Sequence, residues 1–305
     1  MSTVETRHCY RHPDRETGLS CSDCGRPICA DCATFAPVGI RCPDHADGRR
    51  RTSPAPVTMA PRQVARAQRR LGATDALVTK ILIGINVGVY LLGAIQPGAS
   101  LFNPMPARVF LDPTSLYHRL WLDAPEVANG GWYRLITAAF LHASVWHIGL
   151  NMLALWWIGA PVERYLGRAR YLGLYVVCGL AGSAGALIAA PLVPTVGASG
   201  AIFGILGAML IIEYRATGRL GGTAMTLIVI NLAFGFAFNG AGGNISIGGH
   251  IGGLIGGILI TLAYMYGGNL RRVAGRRLDL GAILGLVLVA AGSVALAYWK
   301  VRGYA

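Results

Sequence analysis

The chain has 305 residues, of which 53% are hydrophobic and 13% charged, with a formal net charge of +13 and a mean hydropathy of +0.49. A water-soluble domain carries about a quarter of its residues as charges, so this composition excludes a purely soluble protein and indicates a membrane protein with a polar part attached. Basic residues cluster at Arg49, Arg50 and Arg51, at Arg62, Arg66, Arg69, Arg70 and Lys80, and at Arg271, Arg272, Arg276 and Arg277. They flank apolar runs, which fits membrane orientation and anionic lipid and argues against nucleic acid as a partner.

The first segment, 1–48, is polar and has no apolar leader. It holds four ligand pairs, Cys9-x2-His12, Cys21-x2-Cys24, Cys29-x2-Cys32 and Cys42-x2-His45, and six of the chain's seven cysteines. Eight ligands suffice for two closed, tetrahedral, structural Zn2+ sites. So short a segment cannot build an adequate apolar core, so metal is expected to determine its fold, with no part in catalysis. The spacing resembles B-box-type cross-brace modules. That resemblance implies that the first and third pairs share one ion and the second and fourth the other; sequential pairing is the alternative. His8, beside Cys9, reads as a spare, with an exchange for His12 as the alternative. A docking or regulatory role with an unidentified cytoplasmic partner is expected. Residues 49–75, rich in Arg, Pro and Ala, read as a linker that becomes a basic, partly helical segment on the inner leaflet.

Apolar segments follow at roughly 76–95, 145–162, 171–190, 199–214, 223–239, 248–266 and 280–299. If they alternate across a bilayer, Arg164, Arg168, Arg170, Arg215, Arg219 and the basic stretches before 76 and after 270 fall on one side. The positive-inside rule then makes the N-terminus cytoplasmic and the C-terminus external. The head would lie in a reducing compartment, where its cysteines bind metal rather than form disulfides. The long segment 96–134, with Trp121 and Trp132 among Pro and Gly, is expected at the outer interface. Cys178, without a polar neighbour in sequence, reads as a small core residue.

Three of these segments run from outside to inside, and each carries polar groups near its start. His142, His147 and Asn151 mark the second, Ser199 the fourth and His250 the sixth. Ionisable groups within a span are costly and are functional suspects by default. His147 and Asn151, four apart, share a helix face, about 6 Å apart along the axis. Ser199 opens a helix whose free N–H groups favour a developing oxyanion. Gly200 and Gly204 on one helix, and Gly249, Gly253 and Gly257 on another, form small-residue faces that allow close approach. With no acidic residue nearby in sequence, a Ser199–His250 dyad is the economical reading.

Trp132-Tyr133-Arg134, His142-x4-His147-x3-Asn151, Gly197-x-Ser199-Gly200 and His250-x2-Gly253-x3-Gly257 together resemble the rhomboid intramembrane serine proteases. The resemblance covers roughly 76–270. It implies Ser199 as nucleophile, His250 as general base, and His147, Asn151 and the Ser199 N–H as the oxyanion hole. His142, Phe203, Arg134, Gly197 and Gly200 would be supporting residues. Two positions depart from the family pattern: Tyr133 stands where Trp is usual before the arginine, and Phe203 where many members carry Tyr beneath the histidine.

The expected fold is an all-α polytopic membrane protein. A zinc module (1–48) and linker (49–75) precede a six-helix core (76–270), followed by a seventh helix and tail (271–305). The resemblance implies cleavage of transmembrane segments of membrane proteins. A bacterial plasma membrane is the expected location, from the compact chain and the want of a mitochondrial-type presequence in 1–48. Gly, Pro or other weak points in the substrate helix would expose the scissile bond. A Gly-rich cap at 240–244 would admit substrate and water. Two alternatives are a non-proteolytic rhomboid-like protein that binds or chaperones membrane helices, and a channel or transporter. The first would not need both Ser199 and His250. The second would place its polar groups at the midplane.

Overall fold

The computed structural model describes residues 7–35, 39–46, 75–241, 244–267, 270–273 and 276–304. The chain divides into two units, Met1–Arg69 and Arg70–Ala305. Almost all of the linker and Gly242-Gly243 of the expected cap lie outside the described residues.

In the first unit, β1 (His8–Cys9) pairs antiparallel with β2 (His12–Glu16), and β3 (Thr34–Phe35) with β4 (Ile40–Arg41). A four-residue helix, α1 (Pro43–Ala46), follows. The interior is one isoleucine, Ile28, surrounded by cysteines. Arg11 and Arg26 pair with Asp44, and Arg41 with Asp23 at 3.2 Å. Exposed pairs of this kind contribute little, so the strands and ion pairs alone are a weak scaffold.

In the second unit, seven helices among the described residues are long and apolar enough to cross a membrane: α2 (Leu77–Ala94), α7 (Val145–Leu166), α8 (Arg168–Ala189), α9 (Ser199–Thr217), α10 (Thr223–Gly240), α11 (Ile247–Tyr266) and α12 (Leu280–Val301). The seven expected segments coincide with them. The second is longer than expected, because Glu163 and Arg164 continue the helix instead of ending it. Glu163, 1% exposed, accepts bonds from the N–H groups of Val78 and Thr79 and the Thr79 hydroxyl, at 2.8 to 3.0 Å. A carboxylate from one span thus caps the N-terminus of another, satisfying donors that helix geometry leaves open. The helix also widens into a π turn at Leu155–Gly159.

α8 and α9 are the central helices, 56% and 50% buried, against 17% for α10 and α12. α8, α9 and α11 meet through glycine. A Cβ on Gly253 or Gly257 would strike the backbone carbonyl of Gly200 or Gly204, and one on Gly182 would stand 3.0 Å from Gly200 Cα. Without a hydrophobic force between helices in lipid, such backbone approach supplies the dispersion contact that holds them. Cys178 is buried at this seam, against Gly204.

Segment 96–134 is folded. Short helices α3 (Ala107–Leu111), α4 (Leu116–Leu120) and α5 (Ala124–Ala128) precede α6 (Arg134–Thr137). Their core holds Val109, Tyr117, Trp121 and Leu141. Between α11 and α12 lies a hairpin of β5 (Leu270–Val273) and β6 (Arg276–Asp279).

Candidate active site

α9 begins at Ser199, directly after Gly197-Ala198. Gly197 has φ 126°, a region that side chains avoid, and its N–H donates to Ala138 O at 2.9 Å. This turn presents the Ser199 hydroxyl at a helix N-terminus whose first N–H groups have no partner within the helix. His250 lies one turn into α11, which Ser246 starts by capping the Gly249 N–H at 3.3 Å. The glycine seam brings the two helices together, and His250 Nε2 meets Ser199 Oγ at 2.9 Å. His250 is 8% exposed. Its other ring nitrogen, Nδ1, has no protein partner, so the pair has no acidic third member among the described residues. Phe203, one turn after Ser199, stacks on the imidazole, with centroids 4.1 Å apart and planes 12° apart.

Ser144 starts α7, accepting from the His147 N–H at 3.2 Å. His147 Nδ1 accepts from the Ala143 N–H at 3.4 Å, so the neutral ring carries its proton on Nε2. That nitrogen faces the turn that leads into Ser199. A Cβ built on Gly197 would stand 2.7 Å from His147 Nε2 and 3.9 Å from Ser199 Oγ. Asn151 shares the helix but donates to the His147 carbonyl at 2.8 Å. The structure therefore brings Ser199, His250 and His147 together, with Asn151 tied to the His147 carbonyl. His142 is fully buried, with its ring edge-on to His147 at 5.0 Å. Burial, with His147 beside it, holds its imidazole down at about 3, so it is neutral.

Arg134 is remote in role. It is 4% exposed and donates to the carbonyls of His118 and Trp121 and to Glu126, at 2.6 to 3.1 Å. It gathers α4 and α5 into one piece. Tyr133 and Trp132 are exposed beside it.

Sequence reasoning missed three supports of the site. Leu122 and Thr195 exchange backbone hydrogen bonds at 3.1 and 2.8 Å, tying segment 96–134 to the chain entering Ser199. Tyr117 donates to the His142 carbonyl at 2.7 Å. Ser246 lines a cavity of about 30 Å³ beside Ser199, together with Leu122, Gly179, Ser183 and Gly249. The pattern Ser246-x-x-Gly249 before an apolar run was the one readable sign, as a helix start.

In the first unit, Cys9, His12, Cys29 and Cys32 converge, as do Cys21, Cys24, Cys42 and His45, with ligand atoms within 4.8 Å of one another in each group. The first and third pairs share one group and the second and fourth the other; His8 stays outside. Six of the donor pairs stand 3.1 to 3.9 Å apart, with both histidines facing sulfur through Nδ1. A tetrahedron with metal–sulfur bonds of about 2.3 Å has edges of about 3.8 Å, so the donor set fits a metal ion. Burial opposes ionisation of Cys9, but N–H groups of Cys29, Arg11 and His12 outweigh it and hold the thiol down at about 6. Burial and the adjacent sulfurs of Cys29 and Cys9 push Cys32 up to about 11, a repulsion that a central cation relieves.

Residues 129–267 match the family model of the Rhomboid domain. The chain is 43% identical over 141 residues to the Rhomboid protease GluP of Bacillus subtilis, covering 45% of this chain and 27% of that protein. It is 34% identical over 174 residues to the Putative rhomboid protease YdcA of the same organism, covering 55% of this chain and 83% of that one. With RHOMBOID-like protein 5 of Arabidopsis thaliana it shares 33% over 182 residues, 56% of this chain and 58% of the relative. The match to YdcA spans most of that protein, the Rhomboid family model spans the residues of the glycine seam and of the Ser199–His250 contact, and on this ground the chain belongs to the rhomboid family.

Proposed function

We propose that this protein is an intramembrane serine endopeptidase that cleaves transmembrane segments of membrane proteins. The observation that carries the reading is the 2.9 Å contact between Ser199 Oγ and His250 Nε2 at the start of a helix. Relatives named as proteases support it. As Ser199 Oγ attacks the scissile carbonyl, its proton passes to His250 Nε2. The carbonyl oxygen gains charge, which the Ser199 N–H and the His147 Nε2–H stabilise; a second N–H of Asn151 adds to them. Such prepositioned donors are usually the largest electrostatic contribution to acyl transfer. His250 then protonates the leaving amine. In the second half it takes a proton from the water that attacks the acyl-serine ester. Phe203 holds the imidazole plane through both steps.

The cavity beside Ser199 is lined by Gly179, Gly182, Gly197, Gly200 and Gly249, so it could seat a substrate side chain next to the scissile carbonyl. In the head, two structural Zn2+ ions held by the eight Cys and His ligands would supply the folding energy that its small core lacks. The head would occupy 1–48, the linker 49–75, the protease core 76–270 and the seventh helix with its tail 271–305. In a plasma membrane, the basic flanks would place the N-terminus in the cytoplasm and the C-terminus outside.

The test is cleavage of a model transmembrane substrate in liposomes by wild type, Ser199→Ala and His250→Ala. Cleavage by wild type alone supports the dyad. A folded wild type inert toward several substrates would transfer weight to a helix-binding role.

A further inference from the structure

Helix α12 is not confined to the far side of the bundle. It runs along α8 and α11, and its last turns reach α5 in the outer segment. Ala297 and Val301, 0% and 1% exposed, join Leu122, Ala124 and Val127 in one apolar cluster. Leu122 has a second duty, because it lines the cavity at Ser199 and exchanges both backbone hydrogen bonds with Thr195. The neighbouring Ala124 N–H donates to Pro191 O at 2.7 Å. The chain entering the turn before Ser199 therefore hangs on Leu122 and Ala124; α5, which Ala124 opens, packs against α12, and Leu122 shares its apolar cluster. At five residues, α5 cannot hold its own shape and takes it from what it packs against. α12 is fixed at its other end, where Asp279 caps Ala282 and pairs with Arg170 at 2.9 Å.

We propose that Ala297 and Val301 of the seventh helix are positioning residues for the wall of the substrate cavity, acting through Leu122 on the segment 191–197. The proposal rests on the proteolytic reading for its kinetic consequence, and on packing alone for its structural one. Val301 touches neither Ser199 nor His250, so loosening it should affect how a substrate chain is seated while leaving the dyad able to react.

The test compares full-length wild type, Val301→Ala and Val301→Ile in liposomes. Val301→Ala should speed hydrogen exchange about tenfold in peptides covering 122–128 and 191–197 and leave 250–260 unchanged. It should raise KM for a transmembrane substrate about fivefold to tenfold, with kcat and labelling of Ser199 by a fluorophosphonate within about twofold of wild type. Val301→Ile, which keeps the β-branched bulk, should leave both readouts near the wild-type values. Unchanged exchange in 122–128 and 191–197 would overturn the proposal. So would cleavage and labelling that fall in parallel, since that is general destabilisation. Wild type that is neither active nor labelled would sink the protease reading alone, and the exchange comparison, which needs no substrate, would still decide the coupling.

Discussion

Phe203 and Gly197 show how narrowly single residues set this site. The stacked ring of Phe203 fixes the plane of His250, and an aromatic pair is worth about 0.5–1.5 kcal/mol beyond its buried area. Phe203→Ala should therefore lower kcat about tenfold while the fold persists, and Phe203→Tyr, which keeps the ring, should stay within about threefold of wild type. Equal cleavage rates for the alanine variant and wild type would mean that His250 is held by something else. At Gly197 a methyl group would meet His147 Nε2 on a backbone with φ 126°. Gly197→Ala should thus displace His147 and cost at least about a hundredfold in kcat, the worth of one oxyanion donor, in a steady-state cleavage assay. Ser199, His250 and His147 were legible in the sequence because polar groups stand out in apolar runs. Leu122 and Thr195 were not, since two ordinary residues 73 positions apart reveal no backbone pairing until the fold joins them.

At the scale of helices, the spans could be read because length and hydropathy suffice to find them. Their joints could not. Glu163 lies just beyond the expected 145–162 segment and is the buried cap of another span. Glu163→Ala would leave two N–H groups and a hydroxyl without their acceptor, each costing about 1–3 kcal/mol. A loss of at least about 3 kcal/mol is expected in denaturant or thermal unfolding, with Glu163→Gln milder because it keeps one acceptor oxygen. The glycine seam gives a second expectation, with the usual sign inverted. Replacing Gly by Ala inside a helix ordinarily stabilises by roughly 0.5–1 kcal/mol, and Gly292 of α12, with open space around it, should follow that rule. At Gly253 the new methyl would strike the Gly200 carbonyl, forcing α11 from α9. Gly253→Ala should lower both the unfolding temperature and Ser199 labelling, and an unchanged pair of readings would show that the seam does not set the dyad.

The whole molecule is a multi-pass membrane protein that carries a separate Cys- and His-rich unit. Nothing in the dyad requires that unit, and nothing in the unit's ligand sets requires the membrane helices. Its ligand pairing was legible only as a resemblance, because spacing alone also allows sequential pairs. The converged side chains place Cys29 with Cys9, His12 and Cys32. Cys29→Ala should therefore cost the ion of that group, and the alkylation rates of Cys9 and Cys32 should rise well before those of Cys21 and Cys42. Sequential pairing would instead expose Cys42 together with Cys32. Elemental analysis of the purified protein should find about two zinc ions per chain in wild type and fewer in the variant. If the two units work independently, the variant should cleave a transmembrane substrate at the wild-type rate even as trypsin cuts its head faster. A lost zinc ion accompanied by lost cleavage, with Ser199 still labelled, would show that the head acts on substrate supply rather than on the chemistry, because the dyad would remain competent without turnover.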